Sequence, residues 1–343
     1  MKKLIVTGGA GFIGSNFIRY WLSKYPEDKI LNLDLLTYAG NLENLKDIED
    51  NKNYEFVKGD ICDFDLVDNL IKNFSPDYVI NFAAESHNSY AILNPTAFFK
   101  TNLMGTQTLL EACRKNKVPR FHHVSTCEVY GDLPLNSEEK FTEKSAYAPN
   151  TPYNASKAAA DIAARAYFKT FNLPVTISNC GNNYGSHQFP EKLIPLFVSN
   201  LLEGKKIPLY KSSQNKREWI HVIDHCKAID LILNKGKLGE TYNVGTGVEK
   251  SIEEVTAVIL KNLSQPESMK EYVSDRPGHD KRYLLDSSKI MNELGWKPEI
   301  DFENVLNPEQ LKEGYILACK SSVKTDLLIH VNLHKEKKDN TNN

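Results

Sequence analysis

Cysteine and long apolar runs are both scarce in this sequence of 343 residues. The few cysteines are scattered along the chain, and none belongs to a C-x-x-C pair. This spacing argues against a zinc site and against a framework of disulfide bonds, so we expect no metal and free thiols. Free thiols fit a reducing cytoplasm, which we predict as the location. The six residues are Cys62, Cys113, Cys127, Cys180, Cys226 and Cys319.

The sequence also lacks a strong net charge and any segment long enough to span a bilayer. Its formal charge is -2, so no global field draws it to nucleic acid or to an acidic membrane. The apolar part of the N-terminal stretch MKKLIVTGGAGF is too short for a secretory signal. We therefore predict neither nucleic acid nor a membrane as a partner.

Strand-like and helix-like segments alternate along the first half of the chain. Short apolar strands such as KKLIVTG, KILNLDLL and RFHHVST are separated by segments with helical spacing of apolar residues. This alternation predicts the α/β class, with a doubly wound parallel sheet covered by helices on both faces. After about residue 185, prolines and short apolar runs indicate a smaller α/β domain.

We predict that the larger domain covers residues 1–185 and that residues 215–240 return to it. The smaller domain is predicted at 186–214 and 241–320. The remaining residues, 321–343, are polar, and we expect a disordered tail there.

A glycine-rich turn, TGGAGFIG, connects the first predicted strand to the first helix. Gly8, Gly11 and Gly14 let the backbone approach a pyrophosphate, and the helix N-terminus favours its negative charge. Asp34 ends the second strand, 20 residues after Gly14, where a carboxylate accepts from both ribose hydroxyls and repels a 2′-phosphate. With strand, helix and acidic residue in register, the sequence predicts NAD rather than NADP. Further cofactor contacts are predicted at Phe12, Ile13, Asp60, Ile61 and Ala83.

Tyr153 and Lys157 form a Y-x-x-x-K pair at the start of an alanine-rich helix. Residues four apart share a helix face, and a nearby ammonium lowers the pKa of a phenol because it stabilises the phenolate. Such a tyrosine can take a proton from a sugar alcohol while hydride passes to a nicotinamide. The same pair is also common on helix surfaces, so the motif alone is weak evidence.

The segment STCEVYG places three polar side chains in a row at the end of a predicted strand. We expect Thr126, Cys127 and Glu128 at the carboxyl edge of the sheet, where doubly wound folds bind ligands. Thr126 can hydrogen-bond a hydroxyl, and Glu128 can act as a base. A solvated loop carboxylate is the alternative interpretation of Glu128.

Together these motifs resemble the extended short-chain dehydrogenase/reductases and, within them, the dTDP-glucose 4,6-dehydratases. The resemblance covers roughly residues 1–300 and rests on many specific stretches in the same order. They are TGGAGFIG, DLLTYAGN, GDICD, FAAESH, STCEVYGDLP, AYAPNTPYNASKAAAD, SNCGNNYG, HQFPEKLIPL, EWIHVIDHC, ETYNVGTG and DRPGHDKRY.

The resemblance implies a Rossmann fold, a tightly bound NAD and a nucleotide-diphosphate sugar as substrate. Tyr153 would be the base that opens oxidation at C4, Lys157 would support it and hold the cofactor ribose, and Thr126 would bind the C4 hydroxyl. Glu128 would take the C5 proton, and hydride would return to C6 after water leaves. The second domain would bind the pyrophosphate and base. The implied substrate residues are Ser86, Asn182, Lys192, Arg217, Asn243, Arg276 and Tyr283.

Four departures from that family's usual pattern accompany the resemblance. An aspartate that protonates the leaving C6 hydroxyl usually stands at the position of Cys127, and a thiol is a poorer hydrogen-bonding acid. In ESHNSYAI, Asn88, Ser89 and Tyr90 replace valine, aspartate and arginine. YKSSQNKREW stands where a glycine-rich turn is usual, and the final helix is hard to find after Trp296. These changes favour an altered substrate, an altered outcome or a paralogue without activity.

Two alternatives to a 4,6-dehydratase therefore stay open. The first keeps the C4 oxidation but returns hydride to C4, as a 5,6-dehydratase or an epimerase would. The second is a non-catalytic module that binds NAD and a sugar nucleotide. In either case the resemblance implies a homodimer, formed through a four-helix bundle to which TNLMGTQTLLEACRKN and SKAAADIAARAYFKTF would contribute.

Overall fold

The computed structural model describes residues 1–302 of the chain. The predicted tail at 321–343, the predicted domain end at 303–320 and Cys319 lie outside the described residues. The strands of the described part are β1 (Lys3–Thr7), β2 (Lys29–Asp34), β3 (Tyr54–Lys58), β4 (Tyr78–Asn81), β5 (Arg120–Thr126), β6 (Val175–Cys180), β7 (Asn182–Tyr184), β8 (Ile207–Tyr210), β9 (Lys216–His221), β10 (Thr241–Val244), β11 (Glu249–Ser251) and β12 (Lys270–Val273).

Helices follow most of these strands. The α-helices of the described part are α1 (Phe12–Lys24), α2 (Phe64–Phe74), α3 (Asn88–Leu93), α4 (Pro95–Phe98), α5 (Thr106–Lys115), α6 (Pro152–Phe171), α7 (Leu193–Leu202), α8 (Val222–Lys235), α9 (Ile252–Asn262) and α10 (Ser288–Leu294). A π-helical segment, Phe99–Gly105, joins α4 to α5, and a 3-10 turn, Cys127–Tyr130, follows β5.

Seven strands form one parallel sheet in the order β10-β6-β5-β4-β1-β2-β3. The chain proceeds from β1 outward to β3 and then crosses back to β4, which pairs with the other edge of β1. The carboxyl ends of β1 and β4 therefore lie side by side, with Thr7 opposite Asn81. In doubly wound sheets, ligands bind outside the strand ends at such a reversal.

Except at its edge strand β3, the large sheet is buried on both faces, which explains why most of its strands are rich in apolar residues. Alternate residues of a strand point to opposite faces, and β1 shows the result. Ile5 belongs to a core shared with α2, α5 and α6, whereas Leu4 and Val6 belong to a core shared with α1 and α8. This arrangement confirms the predicted doubly wound α/β class.

A smaller region beside the sheet has its own core. Strands β7, β9 and β11 form a three-stranded sheet, and β8 pairs with β12 in a two-stranded sheet. Helices α7 and α9 pack together with β8 around Phe197, Ile207, Leu209, Val255 and Ile259. This core is separate from the two cores of the large sheet.

The chain returns to the large sheet at 222–244 rather than at the predicted 215–240, and it returns again at α10. Helix α8 packs on α1, but β9 belongs to the small three-stranded sheet. Strand β10 adds to the edge of the large sheet, and α10 packs against it through Ile290 and Tyr242. The chain therefore returns to the large sheet twice, through α8 and β10 and then through α10, rather than once. Within residues 1–302, no helix combines the length and apolarity needed to cross a membrane.

Candidate active site

A cavity of about 300 Å³ lies outside the carboxyl ends of the large sheet. Both regions line it, because β7 and residues 188–192 of the smaller region face the ends of β1, β2, β4 and β5. Most of the predicted site residues meet in this cavity. They are Gly8, Gly11, Phe12, Ile13, Gly14, Asp34, Asp60, Ile61, Ala83, Ser86, Thr126, Glu128, Tyr153, Lys157, Asn182 and Lys192.

The glycine turn forms the cavity wall between β1 and α1. Gly8 has a φ of 70°, and a Cβ there would lie 2.6 Å from the backbone nitrogen of Ala83. A Cβ on Gly14 would lie 2.4 Å from the carbonyl oxygen of Gly8, so the turn closes only with glycine at both positions. Gly11 caps α1 without a side-chain hydrogen bond, which leaves the first N–H groups of this helix available to an anion.

Asp34 stands at the end of β2 with its carboxylate already held by the backbone. Its two oxygens accept hydrogen bonds from the N–H groups of Ala10 (2.9 Å) and Leu36 (2.8 Å). Burial raises the pKa of Asp34, and these two hydrogen bonds oppose the rise. Each oxygen of a carboxylate can accept a second hydrogen bond, so the fixed carboxylate can still receive hydroxyl donors.

Asp60 and Ile61 lie beyond β3 at the far end of the cavity. The carboxylate of Asp60 accepts from the N–H of Cys62 at 2.9 Å, which fixes this loop. Ile61 packs on the helical segment that starts α5, where a Cβ on Gly105 would lie 2.5 Å from its Cδ1 atom. An apolar side chain held this firmly gives the cavity a flat wall next to a carboxylate.

The loop after β4 is clamped by the π-helical segment Phe99–Gly105. Asn102 exchanges hydrogen bonds with the N–H and C=O of Glu85 at 2.9 and 3.0 Å, and it donates to the hydroxyl of Ser156 at 2.8 Å. Extra residues in a π turn commonly re-aim side chains at functional sites. Here the turn joins the cavity loop at Glu85 to the catalytic end of α6.

Thr126 and Tyr153 face each other at the centre of the cavity. Thr126 ends β5, and its hydroxyl accepts from the N–H of Glu128 at 3.2 Å. Tyr153 lies in the first turn of α6, and burial raises its pKa well above the ordinary value, opposed by its hydrogen bond with Thr126. The direction is opposite to the sequence prediction, because burial outweighs any effect of a cation one turn away.

Lys157 points along the end of β5 rather than at the phenol. Its Nζ atom donates to the carbonyl of Val124 at 2.7 Å, and His123 and Asp161 lie behind it. The Nε2 atom of His123 is 3.4 Å from Nζ and 3.4 Å from Oδ1 of Asp161. Since the Asn81 amide donates to Nδ1 at 3.3 Å, Nε2 carries the hydrogen and faces the carboxylate.

Asp161 is the buried counter-ion of Lys157, one helical turn further along α6. Its Oδ2 atom accepts from the hydroxyls of Ser125 (2.9 Å) and Tyr147 (3.0 Å). Burial raises the pKa of Asp161 to about 6, and burial lowers the pKa of Lys157 to about 8 while Asp161 opposes that fall. Both groups are therefore charged near neutral pH, and the ammonium is maintained by a carboxylate hidden from solvent.

Glu128 lies in the 3-10 turn after β5 and lines the cavity. Its Oε2 atom accepts a hydrogen bond from the amide of Asn88 at 3.0 Å. Burial raises the pKa of Glu128, and the Asn88 hydrogen bond and the charge of Arg276 oppose the rise. A buried carboxylate with an elevated pKa is suited to take and then return a proton.

Cys127 does not line the cavity, although its neighbours on both sides do. Its side chain is only 1% exposed and packs in an apolar cluster with Val129, Leu133 and Tyr283. Burial and the charge of Glu128 raise its pKa well above the ordinary value of a thiol. The thiol therefore keeps its proton and is separated from the cavity.

The end of the cavity nearest the smaller region is lined by Ser86, Asn182 and Lys192. The Nζ atom of Lys192 donates to the carbonyl of Ser86 at 3.2 Å and lies 3.7 Å from the carboxylate of Glu191. Asn182 begins β7, directly opposite the end of the large sheet. A cation and an amide thus stand at the boundary between the two regions.

Arg217, Asn243 and Tyr283 are occupied by hydrogen bonds inside the protein. The guanidinium of Arg217 donates to the carbonyl groups of Lys216 (2.7 Å) and Asp280 (2.8 Å) and stacks over the ring of Tyr283. The phenol of Tyr283 donates to the carboxylate of Asp280.

Asn243, on β10, is equally committed. Its amide donates to the carbonyl of Phe141 at 2.9 Å and accepts from the phenol of Tyr130 at 2.8 Å. None of these three predicted substrate residues lines the cavity.

Arg276 is the exception among the predicted residues outside the cavity wall. It is half-buried, and its Nε atom has no hydrogen-bond partner among the described residues. Its charge lowers the pKa of Glu128 and, after burial and Lys192, that of His87. A half-buried guanidinium whose buried Nε donor is unused, near Glu128 and Lys192, is suited to an anionic ligand.

Aromatic side chains from three separate segments meet at the rim of the cavity. The ring of Tyr38 lies edge-on to the rings of Tyr90 and Phe189, at centroid distances of 5.3 and 5.7 Å. Phe189 lines the cavity, and the ring of Tyr90 also contacts His87. We call Tyr38, Tyr90 and Phe189 the aromatic rim.

Sequence reasoning missed three groups that the structure places at the site. Asp161 had a usable signal, because it stands four residues after Lys157 on the same helix face. The contact of Asn88 with Glu128 and the aromatic rim had none, since each joins segments far apart in the chain. Among the described residues, no cluster of three or more potential ligands suits a metal ion.

Known proteins are similar to this chain both in sequence and in fold. The GDP-mannose 4,6 dehydratase family model matches residues 5–308. A dTDP-glucose 4,6-dehydratase from Shigella flexneri is 47% identical over 325 residues, which cover 88% of this chain and 90% of that relative.

Two solved structures are similar over nearly the same length. The dTDP-glucose 4,6-dehydratase of Bacillus anthracis in complex with NAD is 48% identical, has a TM-score of 0.84 and covers 91% of this chain and 96% of its own. The dTDP-glucose 4,6-dehydratase of Streptomyces venezuelae, also solved with NAD, is 45% identical, has a TM-score of 0.86 and covers 91% and 98%. With a glycine turn, a Tyr153–Lys157 pair and Glu128 on one cavity, and with matches across almost its full length, the chain belongs to the GDP-mannose 4,6 dehydratase family.

Proposed function

We propose that this chain is an NAD-dependent nucleotide-sugar 4,6-dehydratase of the dTDP-glucose type. The observation that carries the proposal is the meeting of Thr126, Tyr153 and Glu128 on one cavity wall, beside the glycine turn. Relatives at 45–48% identity with this activity in their names support it. The product would be a 4-keto-6-deoxy sugar nucleotide.

The cavity residues fit NAD. A side chain at Gly8 or Gly14 would fill the space next to the free N-terminus of α1, where a pyrophosphate would lie. The fixed carboxylate of Asp34 would receive the ribose hydroxyls and disfavour a 2′-phosphate. Asp60 and Ile61 would flank the adenine, and Lys157 would hold the second ribose. When bound, the nicotinamide would accept a hydride from C4 and deliver it later to C6.

Tyr153 would take the proton of the C4 hydroxyl, with Thr126 hydrogen-bonded to the same oxygen. Burial raises the pKa of the phenol, so a base at this position depends on positive charge close to it. Lys157 would supply that charge from one helical turn away, and Asp161 would keep the ammonium protonated near neutral pH. The hidden carboxylate thus supports the first proton transfer without touching the substrate.

Glu128 would carry out both proton transfers of the elimination. Its carboxylate would remove the C5 proton of the 4-keto sugar, and the resulting acid would give that proton to the departing C6 hydroxyl, which leaves as water. Because Cys127 lies outside the cavity wall with its thiol protonated, the single carboxyl would serve as base and acid in turn. When hydride reaches C6, a proton from water would replace the one removed from C5, and the proton taken up by Tyr153 would return to water, so the net change is the loss of one water molecule.

The substrate pyrophosphate would lie between the two regions, against Lys192 and Arg276. Both side chains are near Glu128, and the Nε donor of Arg276 has no partner among the described residues. We retain Asn182 and Ser86 as substrate contacts because they line the same end of the cavity. Arg217, Asn243 and Tyr283 would act only after exchanging their present hydrogen bonds.

The direct test is incubation of the protein with dTDP-glucose, UDP-glucose and UDP-N-acetylglucosamine. Mass spectrometry should find a product from dTDP-glucose that is lighter by one water. No such loss from any of the three sugar nucleotides would contradict the proposal. Bound cofactor that also stays oxidised throughout would favour the non-catalytic binding module instead.

A second candidate keeps the C4 oxidation but returns hydride to C4, as in a 5,6-dehydratase or an epimerase. The position of Cys127 favours it, because no separate acid faces the C6 hydroxyl from that residue. Substrate carrying deuterium at C4 distinguishes the two. Deuterium at C6 of the product supports the 4,6-dehydratase, and deuterium retained at C4 supports the alternative.

We also propose that the protein is a cytoplasmic homodimer. The predicted dimer helices carry exposed apolar side chains at Met104, Ile162 and Phe171, and the exposed Phe99 lies two residues before the first of these helices. Apolar groups of this size on neighbouring helices favour a helical bundle with a second copy. Light scattering that gives the mass of one chain would contradict this part of the proposal.

A further inference from the structure

Asn88 connects the general base to the N-terminus of the catalytic helix. It begins the short helix α3 and is buried, with only 8% of its surface exposed. Its Nδ2 atom donates to Oε2 of Glu128 at 3.0 Å, and its Oδ1 atom accepts from the hydroxyl of Thr151 at 2.7 Å. The two ends of one amide are therefore both in use.

Thr151 fixes which way that amide points. It is the N-cap of α6, and its hydroxyl oxygen accepts from the N–H of Asn154 at 3.2 Å while its hydrogen points to Asn88. A flipped amide would place Oδ1 of Asn88 against the carboxylate of Glu128, where two acceptors repel. The donor is thus directed at the carboxylate by the same cap that starts the helix of Tyr153.

Among the side chains of residues 1–302, the Asn88 amide is the one that donates a hydrogen bond to the Glu128 carboxylate. The Oε1 atom has no such partner among residues 1–302, while Glu128 itself lines the cavity. Other groups act on the carboxyl only through their charge or their own titration. They are Arg217, Arg276, Asp280, Cys127, Cys180, Tyr153, Lys192 and Tyr283.

We propose that Asn88 is a positioning residue for Glu128, an inference that rests on the proposed dehydratase function. Its amide holds Oε2, so that Oε1 is left to remove the C5 proton and to return it to the C6 hydroxyl. The hydrogen bond favours the ionised carboxylate in a site whose burial disfavours it. Because a single carboxyl serves both proton transfers, its orientation matters at two successive steps.

Two substitutions separate the donor from the space that it occupies. Asn88→Leu keeps the approximate volume and removes the donor, whereas Asn88→Ala leaves room for a water molecule that can donate in its place. We expect Asn88→Leu to slow water loss at neutral pH by roughly tenfold or more, and Asn88→Ala to slow it less. The matched control is Ser89→Ala, the next residue of the same helix, which should behave like the unaltered protein.

The readouts distinguish positioning from a general structural role. Asn88→Leu should move the acidic limb of the pH–rate profile to higher pH and slow exchange of the C5 proton with deuterated solvent. The rate of C4 oxidation, which depends on Tyr153, should stay close to that of the unaltered protein. An unchanged acidic limb, or an equal loss in both steps with a lower melting temperature, would overturn the inference.

Failure of the proposed function would look different. In that case the unaltered protein forms no 4-keto product from any sugar nucleotide. Infrared titration of the Glu128 carboxyl then still tests the contact, with Glu128→Gln used to assign the band. The inference requires a higher pKa for Glu128 in Asn88→Leu than in Ser89→Ala, and equal values would refute it.

Discussion

The two sides of the cavity hold their predicted residues in different ways. The cofactor side consists of the cavity-lining residues from 1–181, and the substrate side consists of the site residues from 182–302. On the cofactor side, every predicted cofactor contact lines the cavity. On the substrate side, Arg217, Asn243 and Tyr283 are committed to bonds within the protein, and only Asn182 and Lys192 line the cavity.

The difference follows from how each side is built. Parallel strands deliver their ends to one edge of a sheet, so a short motif after a strand arrives at the cavity whatever the rest of the chain does. The substrate side is assembled from several crossings of the chain, and its polar residues also hold those crossings together. A family motif there can therefore be structural and functional at once.

A substitution in the glycine turn should have the largest effect, because the backbone of the cofactor side has no room for an added side chain. In Gly14→Val, the new Cβ would lie 2.4 Å from the carbonyl oxygen of Gly8. We expect protein purified without bound NAD and without measurable product, as judged by absorbance of the released cofactor. Gly204→Ala is the control, because it lies outside the cavity, nothing lies within 4 Å of a Cβ there, and only its φ of 69° disfavours alanine. Full NAD content in Gly14→Val would contradict the proposed pyrophosphate position.

Removing the phenol hydroxyl tests the centre of the cofactor side. Tyr153→Phe should lower kcat by about 10²–10⁴-fold, because it removes a general base without changing the packing against Phe98. NAD content and melting temperature should be unchanged. Product formation within threefold of the unaltered protein would assign the first proton transfer to another group.

A matched pair of substitutions tests whether Arg276 binds the substrate while Asn243 stabilises the fold. Arg276→Ala should raise KM about tenfold with little change in melting temperature, since its Nε atom has no partner to lose. Asn243→Ala should lower the free energy of unfolding by about 1–3 kcal/mol and leave KM nearly unchanged, because its amide bonds are internal. Steady-state kinetics and thermal unfolding measure both. A higher KM in Asn243→Ala together with a lower stability in Arg276→Ala would contradict this division of roles.

The smallest expected effect concerns the hidden carboxylate behind Lys157. Burial lowers the pKa of Lys157 to about 8, so activity that needs the ammonium should fall as the pH rises through that value. Asp161→Asn removes the opposing negative charge, so the pKa of Lys157 should fall further and the alkaline limb should move to lower pH. Profiles of kcat/KM against pH check this. An alkaline limb that stays in place would show that Asp161 does not act on Lys157.

Much of the fold and of the cofactor side could be predicted from the sequence. The apolar strands and the turn at Gly8 to Gly14 depend on neighbouring residues, and the structure confirms the doubly wound sheet. The pKa direction of Tyr153 was wrong, because burial depends on residues such as Ala91 and Phe98 that a local motif does not include.

Other features depend on distant contacts that one sequence does not reveal. Cys127 is adjacent to Glu128 in the chain, yet the 3-10 turn directs it into an apolar cluster. The edge strand β10 carries too few residues to signal that it joins the large sheet. The link from Asn88 to Thr151 spans 63 positions, so no short pattern encodes it.

The aromatic rim has a consequence for how the cavity is held together. Tyr38, Tyr90 and Phe189 come from three distant stretches of chain, and the ring of Tyr38 lies edge-on to both of the others. Since Tyr38 and Tyr90 belong to the cofactor side and Phe189 to the substrate side, these ring contacts join the two sides beside the cavity.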